Sequence, residues 1–256
     1  MSVVVVTGGG TGIGAAVART LAARGDQVVV CGRRRGPLDA VAADTGATVV
    51  VGDTATDEGV AHVVAQTLDR HGRLDGLVLN AGVARTGTLT TMARADWDET
   101  LRINLTGPYL LVRQALPHLL SSRGAVVAVG SVAGLRASAD YLAYGASKAA
   151  LHMLVQNLAV DLGPQGVRVN CVAPGWVRTE MGDEEMAEFG GPLGLDVGQA
   201  YARVTAAVPQ RRPADAAEVA AVVAWLLSGE ASYVHGAVLP VDGGTVVVDP
   251  GAFAFL

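Results

Sequence analysis

The stretch SVVVVTGGGTGIGAAVA, residues 2–18, decides how the rest of the chain is read. Four consecutive valines favour a strand, because side chains branched at Cβ pack well on a pleated surface. The alanines that follow favour a helix. Between them lie Gly8, Gly9, Gly10, Gly12 and Gly14. Glycine loses more conformational entropy on folding than any other residue, so this concentration needs a cause. It marks either a tight turn or a backbone that must come very close to a ligand.

The same punctuation recurs along the 256 residues. Short valine-rich runs predict strands near 3–6, 27–31, 48–52, 76–80, 124–130, 167–172 and 236–241. Helical patterns fall between them near 12–24, 57–71, 96–120, 141–162 and 214–228, with a weaker one near 37–44. Such alternation predicts an α/β Rossmann-type fold: a doubly wound parallel sheet of seven strands, helices on both faces, in a single domain over 1–256. Residues 179–212 break the rhythm. They hold no strand pattern, they gather Asp183, Glu184, Glu185 and Glu188, and GGPLG interrupts any helix. An excursion of that kind is expected to be a lid or binding loop, with a plain surface insertion as the alternative.

Composition narrows the partners. Half the residues are hydrophobic, 17% are charged and the mean hydropathy is +0.38. Yet the longest apolar run, VAAVVAWLL (Val219 to Leu227), is far short of the ~18 residues of a membrane span. The excess is alanine and valine, as parallel strands covered on both faces require. A net charge of −5 gives no nucleic-acid surface. Cys31 and Cys171 sit apart in apolar runs and predict buried free thiols, and five scattered histidines show no metal-ligand spacing. No signal peptide is read after Met1, so a cytoplasmic protein without membrane, metal or nucleic-acid partners is expected.

A strand, a glycine-rich turn and a helix start form the arrangement that receives a dinucleotide pyrophosphate on backbone N–H groups and a helix N-terminus. One glycine motif is weak evidence. Six further motifs accompany it, in order: NAG (80–82), LRINLTG with Asn104, VGSVAG with Ser131, YGASK with Tyr144 and Lys148, VNCVAPGWVRTEM with Pro174 and Gly175, and VDGG (241–244). With Thr7, Gly8, Gly12 and Gly14 matching T-G-x-x-x-G-x-G, the chain resembles the short-chain dehydrogenase/reductase family from its first strand to residue 244.

That resemblance implies an oxidoreductase interconverting a secondary alcohol and a ketone on a nicotinamide cofactor. The implied catalytic residues are Asn104, Ser131, Tyr144 and Lys148. The implied cofactor contacts are Gly8, Thr11, Gly12, Ile13, Gly14, Asp53, Asn80, Ala81, Gly82, Tyr144, Lys148, Pro174, Gly175, Val177 and Thr179. The residues themselves support the chemistry. Tyr144 and Lys148 are four apart in a helical stretch and share a face. A phenol is a poor base at neutral pH, and an ammonium beside it favours the phenolate. Tyr144 can then exchange a proton with a substrate oxygen while Ser131 holds that oxygen. Tyr141, seven residues from Lys148, lacks the motif. No acid follows the second strand in VVVCGRRRG to bind a ribose 2′-OH, whereas Arg33 and Arg34 suit a 2′-phosphate, which favours NADP(H) and leaves NAD(H) open.

The substrate is the least legible part. In the family, residues after the Pro-Gly turn shape the pocket, and here they include Trp176, Met181, Met186, Phe189, Leu193 and Leu195, a palette for a largely apolar carbonyl or alcohol. Two rivals to this oxidoreductase remain: a non-catalytic NADP-binding regulator, and a lyase or dehalogenase on the same fold. The resemblance implies a homotetramer or homodimer, assembled in the family through its long central helices and last strand, and the long Ala/Leu-rich helices at 96–120 and 141–162 permit the apolar face this needs. Residues 245–256, TVVVDPGAFAFL, form a C-terminal extension with two of the chain's three phenylalanines. Phe253, Phe255 and Leu256 are expected to fold back on a neighbouring subunit or the pocket rim, or to pack on their own subunit.

Overall fold

Strand β1 (Val3–Thr7) is buried along its whole length. Val3 and Val5 enter one apolar cluster and Val4 and Val6 another. A strand alternates its side chains in this way when both faces of its sheet are covered. The computed structural model describes residues 2–249, so Phe253, Phe255 and Leu256 lie outside the described residues.

The chain continues through α1 (Gly12–Ala23), β2 (Gln27–Gly32), α2 (Arg35–Thr45), β3 (Thr48–Val51), α3 (Asp57–His71) and β4 (Gly76–Leu79). Then come α4 (Arg94–Leu101), a π-helical stretch (Arg102–Thr106), α5 (Gly107–Ser122), β5 (Ala125–Val129), α6 (Leu142–Leu162) and β6 (Arg168–Pro174). The last part holds β7 (Val177–Arg178), α7 (Glu180–Gly190), α8 (Val197–Val204), β8 (Ala214–Asp215), α9 (Ala216–Leu227) and β9 (Val238–Val241). Seven strands form one parallel sheet in the order β3-β2-β1-β4-β5-β6-β9. Helices α1, α2 and α9 cover one face and α3, α5 and α6 the other. Chain direction across the sheet reverses between β1 and β4, the switch point at which such sheets open a crevice beyond their carboxyl ends.

Local signals explain why most elements fall where the sequence places them. Helix α3 starts at Thr56, whose side chain accepts from the Gly59 N–H; it carries Asp57 and Glu58 in its first turn and Arg70 and His71 in its last, and it ends at left-handed Gly72. Each of these features complements the orphan groups or the dipole of a helix end. The helix expected over 96–120 is instead three pieces, because the π-helical stretch interrupts the ladder around Asn104. Cys31 and Cys171 are free and buried, and burial pushes both thiols up to about 12.

The excursion after β7 contains α7 and α8, separated by a 3₁₀ turn at Gly191–Leu193 and by left-handed Gly194. Strands β7 and β8 pair in parallel and pinch its base together. Met186, Ala200 and Tyr201 form a small apolar core of its own. Among the described residues, no helix is long and apolar enough to cross a membrane, and no group of three His, Cys, Asp or Glu side chains could hold a metal.

Candidate active site

The glycine turn sits at the carboxyl end of β1 and is locked to the end of β4. The Thr7 hydroxyl donates to the Val78 carbonyl (3.2 Å) and accepts from the N–H groups of Asn80 and Ala81 (2.9 Å each). The Asn80 amide donates back to the carbonyls of Thr7 (2.9 Å) and Gly8 (3.2 Å). Gly8 and Gly12 take φ of 61° and 52°, the left-handed region that a side chain would strain. At Gly14 the cause is space: a Cβ there would strike the Gly8 carbonyl and the Asn80 amide. Helix α1 is thereby seated directly on the turn, with Thr11 in its N-cap position.

Two adjoining cavities open at this point. The first, about 340 Å³, is bordered by Gly8, Thr11, Gly12 and Ile13 on one side and by Ser131, Tyr144 and Lys148 on the other. Asn80, Ala81, Gly82, Pro174, Gly175, Val177 and Thr179 also face it. The second, about 350 Å³, runs from the turn toward the end of β2 and is bordered by Gly32, Arg33, Arg34, Asp53 and Glu180. Gly14 lies behind the wall rather than in it.

Ser131 follows β5 and caps the short turn Val132–Gly134, its hydroxyl accepting from the Ala133 N–H at 3.1 Å. Tyr144 and Lys148 project from the first turns of α6. The buried Lys148 ammonium donates to the Val129 carbonyl at 2.8 Å and lies 5.6 Å from the centre of the Tyr144 ring. Asn104, buried in the π-helical stretch, is tied on three sides. Its amide donates to the Val83 carbonyl (2.9 Å) and the Ser147 hydroxyl (3.0 Å), and its carbonyl oxygen accepts from the Val83 N–H (2.9 Å). Ser147 in turn donates to the Tyr144 carbonyl at 2.7 Å. Behind the Ser131 turn stands His152, one turn beyond Lys148, with neither ring nitrogen in a hydrogen bond among the described residues. Burial, helped by the Lys148 ammonium, pushes it down to about 4.

At the far cavity the two arginines separate. Arg34 pairs with Glu180 of α7 at 3.1 Å, while Arg33 enters no ion pair among the described residues. Burial raises the Asp53 carboxyl, but the Ala55 N–H (3.0 Å) and the Arg102 guanidinium (3.1 Å) outweigh it and hold the group below the usual carboxylate range.

Of the residues expected to meet substrate, Trp176 and Met181 border the first cavity with Ser131 and Tyr144. Met186 does not. It is 1% exposed and turned into the core it shares with Tyr201. Phe189 and Leu193 are exposed and outside the cavity, and Leu195 is not part of its wall. Residues to which sequence reasoning gave no site role border it as well, among them Tyr141, whose ring centre is 5.7 Å from that of Tyr144, Glu185 of α7, and Thr245. The α-helical repeat held the signal for Glu185, which is four residues beyond Met181 on the same side of α7.

Comparison with known proteins settles the family. A family model described as enoyl-(acyl carrier protein) reductase matches residues 8–246. Protein MoaE of Klebsiella aerogenes is 42% identical over 99% of this chain and 98% of its own. The chain belongs to the short-chain dehydrogenase/reductase family. L-Fucose dehydrogenase of Mus musculus is 37% identical over 94% of this chain and 87% of its own. The crystal structure of levodione reductase superposes with a TM-score of 0.92 at 33% identity, covering 97% of this chain and 98% of that one. The protein is therefore an oxidoreductase of this family, and family membership implies a nicotinamide cofactor. The cradle fits one: Gly8, Thr11, Gly12 and Ile13 bring the amino end of α1 to the border of the first cavity, and the absence of a Cβ at Gly14 lets that helix sit directly against the turn.

Proposed function

We propose that this short-chain dehydrogenase/reductase interconverts a secondary alcohol and a ketone with NADP(H), on a small molecule whose body is largely apolar. The observation that carries the reading is that Ser131 and Tyr144 border one cavity with the glycine turn. A reacting carbon there lies within reach of both the proton-transfer groups and the cofactor cradle.

Gly8, Thr11, Gly12, Ile13, Asn80, Ala81 and Gly82 would hold the cofactor's phosphates and ribose, and Pro174, Gly175, Val177 and Thr179 would line its nicotinamide end. When bound, the cofactor supplies or accepts the hydride. The remaining steps belong to the chain. In ketone reduction the Ser131 hydroxyl donates to the carbonyl oxygen and orients it. The Tyr144 hydroxyl gives its proton to that oxygen as the carbon is reduced, and in the reverse direction the phenolate takes the proton back. Lys148, held by the Val129 carbonyl beside the Tyr144 ring, supplies the positive charge that favours the phenolate. Asn104 fixes the loop after β4, at Val83, to α6 and so sets the distance between Tyr144 and the cradle.

Arg33 is the group proposed to receive a ribose 2′-phosphate, as a guanidinium that enters no other ion pair and borders the second cavity. The segment 179–212 is proposed as a lid, since Met181 borders both cavities while the small core around Met186 lets α7 and α8 move as one piece. Exposed Tyr109 on α5 and exposed Met153 and Val160 on α6 support assembly into a homotetramer or homodimer in the cytoplasm. The test is absorbance at the reduced nicotinamide band with a panel of apolar ketones and either cofactor. Turnover that requires a ketone and runs faster with NADPH is the expected result. Cofactor binding without turnover of any carbonyl would favour a regulator instead.

A further inference from the structure

Two carboxylates of α7 touch the first cavity, and their surroundings differ. Glu180 is neutralised by Arg34 at 3.1 Å. Glu185 meets no cation: it enters no ion pair or hydrogen bond among the described residues. The cationic group on the wall, Lys148, is committed to the Val129 carbonyl. Helix α7 also fixes which way Glu185 faces. Met181, Gly182 and Glu185 share the side that borders the cavity, while Met186 and Gly190 are buried on another side. A partly buried, unpaired carboxyl is unfavourable unless a donor meets it. Burial, with the Glu188 charge nearby, indeed pushes it up to about 7.

We propose that Glu185 is a specificity-determining residue, selecting substrates that carry a hydrogen-bond donor, a hydroxyl or an ammonium group, away from the reacting carbinol carbon. The inference rests on the proposed alcohol/ketone chemistry and refines its substrate class: an apolar body bordered by Trp176, Met181 and Tyr141, with one polar end directed at α7. A carboxylate accepts from either donor and adds charge attraction for the ammonium. A methyl group in the same place would leave the carboxyl desolvated and unmatched.

The experiment uses ketones on two scaffolds of different reach, acetophenone and benzylacetone, each bearing a para methyl, hydroxymethyl or aminomethyl group. kcat/KM is measured for the wild type, Glu185→Gln and Glu185→Leu. In parallel, calorimetry measures binding of the matching secondary alcohols with and without reduced cofactor, where no hydride can move. The wild type is expected to prefer a donor-bearing member over its methyl analogue by roughly 10–100-fold, the span of a hydrogen bond to a charged group. Glu185→Leu should bring that ratio near unity. Glu185→Gln, nearly isosteric and the safeguard against misfolding, should retain preference for hydroxymethyl and lose it for aminomethyl. Whichever of the two the wild type prefers identifies the donor. The same ratio in wild type and Glu185→Leu, in both turnover and binding, overturns the proposal. Binding preference that depends on Glu185 without turnover of any ketone would uphold Glu185 and overturn the alcohol/ketone reading.

Discussion

Replacing His152 by Phe should remove a specific acid sensitivity from the fold. The ring is 6% exposed, wedged behind the turn that carries Ser131: a Cβ on Gly134 would lie 2.7 Å from its Cε1, and one on Gly130 would strike Nε2. Its proton affinity falls from the ordinary 6.5 to about 4, through burial first and the Lys148 charge second, with the Gly134 backbone opposing. A histidine with depressed affinity binds fewer protons folded than unfolded between those two values. Its contribution is therefore fully present above about 6.5 and is lost as pH falls toward about 4. Each tenfold change in proton affinity is worth ~1.4 kcal/mol, so the ceiling is ~3.5 kcal/mol, and about 2 kcal/mol is expected once water reaches the opened ring. Urea unfolding at a series of pH values from about 7 to about 4 reads the difference. Wild type should lose about 2 kcal/mol more than His152→Phe over that window, whatever the offset between them at neutral pH. Parallel curves for the two proteins would refute the reasoning.

Three further outcomes test the site and the assembly. Tyr144→Phe keeps the ring and removes the transferable proton, so turnover should fall at least ~100-fold with cofactor affinity nearly unchanged in a fluorescence titration. Arg33→Ala should weaken NADPH by ~1.5–3 kcal/mol, about 10- to 150-fold, and hardly move NADH; equal losses in calorimetry would show that Arg33 does not discriminate. Light scattering at micromolar concentration should give a multiple of the 26.0 kDa chain mass, and the monomer mass would contradict the assembly proposed through α5 and α6.

The sheet was legible because parallel strands buried on both faces must be valine-rich, and the turns between them must be polar or glycine-rich. Helix α3 announces both ends with capping and charge. The break at Arg102–Thr106 was not legible, because a π-helical turn adds a residue without changing the apolar character of the stretch. On the substrate side, composition misled. Met186 and Phe189 look like pocket residues in sequence, but a one-residue step around α7 turns a side chain by about 100°, and the side facing the cavity is set by how α7 packs on α8. The same rotation brings Glu185 to the wall. Tyr141 reaches the cavity beside Tyr144 from the N-cap position of α6, and Thr245 does so from beyond the last strand.

The co-occurrence of the motifs along the chain has a mechanical cause. The glycine turn cannot hold its shape alone, since left-handed glycines are the most flexible backbone available. It is held by Asn80, whose amide spans the Thr7 and Gly8 carbonyls, and Thr7 answers by accepting two N–H groups from the end of β4. The next residues of that loop are fixed by Asn104, which binds both polar groups of the Val83 backbone. Asn104 then reaches Ser147, and Ser147 reaches the carbonyl of Tyr144. Hydrogen bonds, joined by the short loop from Asn80 to Val83, thus link the glycine turn to the main chain of Tyr144, through residues more than a hundred positions apart. Buried polar groups in such a chain are costly when any member is lost, because its neighbours are left unpaired. On the proposed chemistry, Asn80 and Asn104 would act by setting where Tyr144 stands relative to the glycine turn, and the spacing of the motifs would record that geometry.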